Sequence, residues 1–221
     1  MVTNDTHHVS PVTLSYTEEL SEGVYLIGFK RNFIFKAGQV IGIAMEENGP
    51  RRLYSICSGE QEEEILILYK VVDDGFLTPQ LSDLEIGDTI WITAAGGEFT
   101  GDKDPAVWIA TGTGIAPFYS MLRSGLGENK TLLHGNRFLE QFNFYDEFHE
   151  ALGQDYIRCC SAENGEGVYQ GRVTAYLEQQ DELNPALKYY LCGSADMVVE
   201  ARDILISKGI PFGNIISEIY F

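Results

Sequence analysis

Apolar positions change their rhythm near the middle of the chain. Over the first hundred residues they gather into short β-rich runs at 24–29, 39–44, 52–57 and 65–72, with a turn entering another strand at 84–92. Glycine, lysine or asparagine bounds these runs, and short strands at such spacing predict a closed or nearly closed antiparallel β-barrel. Beyond residue 105 the pattern becomes apolar strands at 106–110, 130–135, 156–160 and 189–193. Segments of helical character at 118–122, 143–152, 172–180 and 195–207 alternate with them. That alternation predicts a parallel α/β sheet. The expected organisation is two-domain, with a barrel over 1–102 and an α/β domain over 103–221. A length of 221 residues suits two domains of about 100 residues each. No internal repeat or low-complexity tract interrupts it.

Charge narrows the choice of partners. The net charge is −18, which argues against nucleic acid and against an anionic membrane surface. The excess is uneven: five cations (Lys30, Arg31, Lys36, Arg51, Arg52) against six acids leave residues 1–55 at −1, so the remainder carries −17. An anionic cofactor or acidic partner is least repelled by the first segment. No apolar run approaches the roughly 20 residues of a membrane helix. The start, Met1-Val2-Thr3-Asn4-Asp5, lacks the features of a secretory leader. Cys57, Cys159, Cys160 and Cys192 show no metal-ligand or disulfide spacing. The expectation is a protein of the reducing cytoplasm without a metal.

Five short motifs carry the chemistry. In Arg52-Leu53-Tyr54-Ser55, alternation puts Arg52 and Tyr54 on one face of a strand and Leu53 and Ser55 on the other. A guanidinium pairs bidentately with pyrophosphate, a tyrosine ring stacks on an isoalloxazine, and a serine hydroxyl reaches its N5. The bland alternative is an exposed strand end with a packed tyrosine. Gly75-Phe76-Leu77-Thr78 precedes a short helix whose N–H groups suit phosphate, or is a plain helix start. Tyr69, on the preceding strand, is either a core or a stacking aromatic. Gly112-Thr113-Gly114-Ile115-Ala116-Pro117 follows a strand, and its glycines admit a second pyrophosphate to a helix N-terminus that Pro117 opens. Arg137 and Arg172 offer cations for a 2′-phosphate, or are two solvated arginines. Cys192-Gly193 ends a strand at the cofactor cleft, and Asp196 caps the next helix or meets the adenine. The chain ends on Glu218-Ile219-Tyr220-Phe221, an aromatic stop that a docked apolar strand does not require.

In this order the motifs resemble the ferredoxin/flavodoxin–NADP⁺ reductase family, in its short bacterial form, over essentially the whole chain. The resemblance implies non-covalent FAD, with NADP(H), or NAD(H) as a second possibility, as the nicotinamide cofactor. It implies hydride transfer between NADP(H) and FAD and single-electron exchange with ferredoxin or flavodoxin by a monomer. It assigns catalytic roles to Ser55, Cys192, Glu218 and Tyr220, with Cys192 beside the nicotinamide, Glu218 near the redox centre and Tyr220 on the flavin face. The flavin would meet Arg52, Leu53, Tyr54, Ser55, Tyr69, Gly75, Phe76, Leu77, Thr78, Tyr220 and Phe221, the last toward adenine. The second nucleotide would meet Gly112, Thr113, Gly114, Arg137, Ser161, Arg172 and Gly193. Where these reductases usually carry S-R-E, this chain reads Ser161-Ala162-Glu163, which predicts a softened preference for NADPH. The competing readings are a reductase component of a multi-component redox system and a non-catalytic FAD-binding redox sensor.

Overall fold

The computed structural model describes residues 9–220, Tyr220 by its backbone alone. It divides into two compact units, Met1–Thr100 and Gly101–Phe221, a division two residues ahead of the expected boundary. The first unit contains β1 (Val9–Ser21), β2 (Val24–Lys30), β3 (Val40–Ala44), β4 (Arg52–Ser55), β5 (Glu64–Lys70), α1 (Thr78–Ser82) and β6 (Thr89–Thr93). All strand pairs are antiparallel, in the order β4-β3-β6-β1-β2-β5. The two outer strands then meet: Ile56 bridges Ile67, and the Cys57 N–H donates to the Leu66 carbonyl at 2.7 Å. The sheet therefore closes into the expected barrel. Its interior is filled by Leu14, Ile27, Phe29, Ile41, Ile43, Ile56, Ile65, Ile67 and Ile90, and Leu77 and Leu81 from the α1 region plug it.

The second unit alternates β7 (Ala106–Thr111), α2 (Ala116–Arg123), β8 (Lys130–Asn136), α3 (Tyr145–Leu152), β9 (Tyr156–Cys160), β10 (Val168–Gln170), α4 (Val173–Gln179), β11 (Lys188–Ser194), α5 (Ala195–Ser207) and β12 (Ile215–Tyr220). Its sheet is wholly parallel, in the order β10-β9-β8-β7-β11-β12. Strands covered on both faces read as continuous apolar runs, and these do. Trp108 stacks on Phe118 of α2 on one face, while its neighbour Ile109 joins Leu177, Val198, Ala201 and Leu205 of α4 and α5 on the other. The chain builds outward from β7 to β10 and then returns to the other side of β7 with β11. The order thus reverses between β7 and β11, and parallel sheets bind ligands at the carboxyl ends of such a pair.

Three strands escaped the apolar pattern. The longest is β1, where Pro11 and the run of polar residues after Tyr16 hide the alternation of Val12 and Leu14. The others are β10, three residues long, and β12, whose terminal position left it unassigned. α2 starts at Ala116, two residues earlier than expected, because the glycine turn is a 3-10 turn running directly into it.

Candidate functional site

In the first unit, the register that joins Ile56 to Ile67 sets Tyr54 against Tyr69. Their rings meet edge to face with centroids 6.3 Å apart, and Tyr25 stacks on the far side of Tyr69 at 5.7 Å. The 72–78 turn begins two residues after β5 ends. That turn is tight: the Gly75 N–H donates to the Val72 carbonyl at 2.7 Å, and the Val72 N–H donates to the Thr78 hydroxyl oxygen at 2.9 Å. A methyl on Gly75 would lie 2.8 Å from the Val72 oxygen, so this closure requires glycine. Two motifs twenty residues apart in sequence are thereby brought to one end of the barrel. Burial pushes the Tyr54 phenol up to about 12 despite the opposing charge of Arg52, so it stays protonated.

The unbroken antiparallel register of β4 with β3 keeps Arg52 and Tyr54, opposite Ile43 and Ile41, on one face. Arg52 and Leu53 are both exposed, Tyr54 is half-buried and Ser55 is buried. The Leu77 side chain and the Tyr69 ring both lie in the barrel core. What remains outside is unusual. Leu53 is 69% exposed and Phe76 53%, beside an exposed Arg52. The Tyr69 phenol oxygen is buried without a hydrogen-bond partner among the described residues. Apolar side chains in water, an exposed guanidinium and a buried hydroxyl without a partner among the described residues fit a flat group with an anionic tail.

In the second unit the expected residues that the structure describes lie toward the carboxyl edge of the sheet. β7 leads into Gly112–Gly114, β8 into Arg137, β9 into Ser161, β10 into Arg172, and β11 ends through Cys192 and Gly193. Cys192 is buried, paired in register with Ala110 on one side and Glu218 on the other. The two glycines of the turn serve different ends. Gly112 has φ +55° and open space where a side chain would be, whereas a methyl on Gly114 would stand 2.3 Å from the Cys192 carbonyl oxygen. Gly114 is thus the contact that seats the turn on β11.

The Ala162 N–H donates to the Arg137 carbonyl at 3.0 Å and the Gly171 N–H to the Cys160 carbonyl at 2.8 Å, so both arginines flank the Ser161–Glu163 turn. Glu163 accepts the Leu139 N–H at 2.7 Å and ties the Arg137 loop down. Both arginines are exposed, and the Arg137 guanidinium lies 5.2 Å from the Phe138 ring. Two residues that sequence reading passed over belong here. Thr111 has a buried hydroxyl without a partner among the described residues, packed against the Gly193 backbone. His134 is buried beneath the Gly112 turn. A single histidine in an apolar strand carries no local signal of such a place. An orphaned hydroxyl, open space over Gly112 and two exposed arginines along one edge fit a phosphorylated nucleotide. Tyr220 contributes a described backbone, in register with Ser194, but its ring and the whole of Phe221 lie outside the described residues.

Comparison with known proteins agrees with this geometry. Residues 108–203 match the model of the oxidoreductase NAD-binding domain family. The chain is 32% identical over 211 residues to ferredoxin–NADP reductase B of Sorangium cellulosum, covering 85% of this chain and 86% of that protein. It is 25% identical over 220 residues to the toluate 1,2-dioxygenase electron transfer component of Pseudomonas putida, covering 93% of this chain and 66% of that one. The fold is similar to a ferredoxin NADP⁺ reductase from Neisseria gonorrhoeae with bound FAD and NADP. The TM-score is 0.85 at 23% identity, over 97% of this chain and 99% of that one. On its sequence identity across most of both lengths, and with the two-unit fold to match, this chain belongs to the ferredoxin/flavodoxin–NADP⁺ reductase family.

Proposed function

We propose that this chain is an FAD-dependent oxidoreductase that exchanges hydride with NADP(H) and single electrons with an acidic carrier of the ferredoxin or flavodoxin class. The observation that carries it is the convergence of Gly112–Gly114, Arg137, Ser161, Arg172 and Cys192 on one sheet edge, at the reversal between β7 and β11. Bound together, the two cofactors supply the hydride and one-electron chemistry. The chain's own residues bind and orient. Arg52 and the N–H groups of the 75–78 turn hold the flavin pyrophosphate, and Tyr54 and Leu53 cover the ring system. The Gly112 turn meets the second pyrophosphate, Arg137 and Arg172 the 2′-phosphate. Cys192 and Glu218, neighbours in register, line the place of the nicotinamide. Lys30, Arg31, Lys36 and Arg51 make the first unit's opening segment the docking face for the carrier.

Purified protein should be yellow, should release FAD and not FMN on heating, and should bleach anaerobically with NADPH. Release of FMN, or a bound flavin that NADPH leaves oxidised, refutes the assignment; the latter outcome favours a redox sensor. A second reading, a reductase component serving an oxygenase, is favoured by the likeness to the toluate dioxygenase component. Stopped-flow reduction of acidic carriers across ionic strength separates the two.

Coenzyme preference gives a sharper test. Ala162 stands between Arg137 and Arg172 where a third cation would meet the phosphate. One charge-assisted contact contributes roughly 1.5–3 kcal/mol, so Ala162→Arg should raise the NADPH/NADH ratio of kcat/KM by about tenfold or more. An unchanged ratio would show that this turn does not meet the 2′-phosphate.

A further inference from the structure

Arg137 begins a three-residue stretch that one neighbouring turn holds at both ends. Its carbonyl accepts the Ala162 N–H at 3.0 Å and the Cys160 thiol at 3.2 Å. At the other end, the Leu139 N–H donates to a Glu163 carboxylate oxygen at 2.7 Å. Leu139 opens a 3-10 turn that ends at Gln141, and the first N–H groups of a helical turn have no partner within it. Glu163 supplies that partner from 24 positions away. Between the two anchors the Arg137 guanidinium lies 5.2 Å from the centre of the Phe138 ring. Arg137 makes no ion pair among the described residues, and its side chain stays exposed.

For a carboxylate the place is otherwise a poor one. Glu163 is exposed on the turn that Arg137 and Arg172 flank, where its charge repels an anionic ligand. That charge is put to use in the bond it makes, since a backbone N–H bound to a carboxylate is held roughly twice as strongly as one bound to a neutral oxygen. We propose that Glu163 is a positioning residue for coenzyme choice. By holding Leu139 it fixes the loop that presents Arg137 to the 2′-phosphate, and this gain outweighs its own repulsion of that phosphate. The inference rests on the reading that the 2′-phosphate of NADP(H) meets Arg137 and Arg172. NAD(H) lacks the phosphate, so an ordered Arg137 loop brings it no advantage.

The test titrates NADP⁺ and NAD⁺ calorimetrically into the FAD-loaded protein, as wild type, Glu163→Gln, Glu163→Ala and Arg137→Ala. Glutamine keeps an acceptor oxygen at the same reach without the charge, and alanine removes both. Glu163→Ala should weaken NADP⁺ by about tenfold, the scale of one charge-assisted hydrogen bond, and NAD⁺ by less than about twofold. Glu163→Gln should stay within about threefold of wild type for both nucleotides. Tighter NADP⁺ binding in both variants would make Glu163 a repelling charge and nothing more. An equal loss of NADP⁺ in both would mean that its charge acts without the bond to Leu139. Either result overturns the proposal. So does a parallel loss of both nucleotides, or a lowered Tm with unchanged affinities, each the mark of an ordinary structural contact. Arg137→Ala tests the underlying reading by itself. If it weakens NADP⁺ no more than NAD⁺, the 2′-phosphate does not lie at this loop, and the proposal falls with that reading.

Discussion

Gly114→Ala should cripple the second unit, while Gly112→Ala, two residues away, should cost little. A methyl on Gly114 would sit 2.3 Å from the Cys192 carbonyl oxygen, 2.6 Å from its carbon and 2.7 Å from the Gly193 Cα. All three atoms are backbone of a central strand, so no side chain can swing aside. Overpacking of this kind costs about 3 kcal/mol or more, on the order of 10 °C in Tm for a unit of this size. At Gly112 nothing lies within 4 Å, and only the left-handed φ of +55° opposes a side chain, an expense of about 1–2 kcal/mol. Thermal melts of the two variants, with flavin absorbance as a check that the first unit stays intact, decide the matter. Equal losses, or a larger loss at Gly112, would mean that the turn is not seated on β11.

Acid should destabilise the protein earlier than its carboxylates alone require. Burial holds the His134 imidazole at about 3; the Gly112 carbonyl pulls upward and the charge of Arg158 pushes further down. The folded protein therefore keeps this ring neutral, while the unfolded chain protonates it near the ordinary value of 6.5. The unfolded state binds the extra proton, so stability is fully present above pH 6.5 and drains away as pH falls toward 3. The slope approaches about 1.4 kcal/mol per unit. Urea midpoints of wild type should fall between pH 7 and 5, where most carboxylates are still ionised. His134→Phe, less stable at neutral pH, should lose this early slope. A variant whose midpoints track the wild type in parallel through that window would contradict the burial of a neutral ring.

What the sequence made legible follows from how far each signal reaches along the chain. The barrel strands and the α/β alternation were readable because their cues lie within a few residues: β-rich runs, bounding glycines, Pro117 at a helix start. The candidate motifs stand out for the same reason, as compact runs that the structure places at strand ends. Roles that depend on distant partners were not. Gly114 reads as a glycine that lets phosphate approach, yet its sharpest constraint is Cys192, 78 positions later. His134 carries no local signal, since Tyr156 becomes its partner only once β8 and β9 lie side by side. The gradient of burial along β4, from exposed Arg52 and Leu53 to buried Ser55, and the inward side chain of Leu77 depend on the closed barrel and leave no local mark.

The long first strand has a bearing on how the barrel assembles. Residues 14–21 of β1 pair with the adjacent β2 and can form a hairpin as soon as that strand is made. Residues 9–13 have their partner in β6, so that Val9 waits roughly eighty residues for Thr93. Closing so long a loop costs more chain entropy than forming the adjacent hairpin. During synthesis the waiting segment is an open strand edge, which invites pairing with other chains. Pro11 sits in its middle, opposite Trp91, and has no N–H to offer. The same residue that hid this strand from the apolar pattern thus makes it a poor template for aggregation until its proper neighbour arrives.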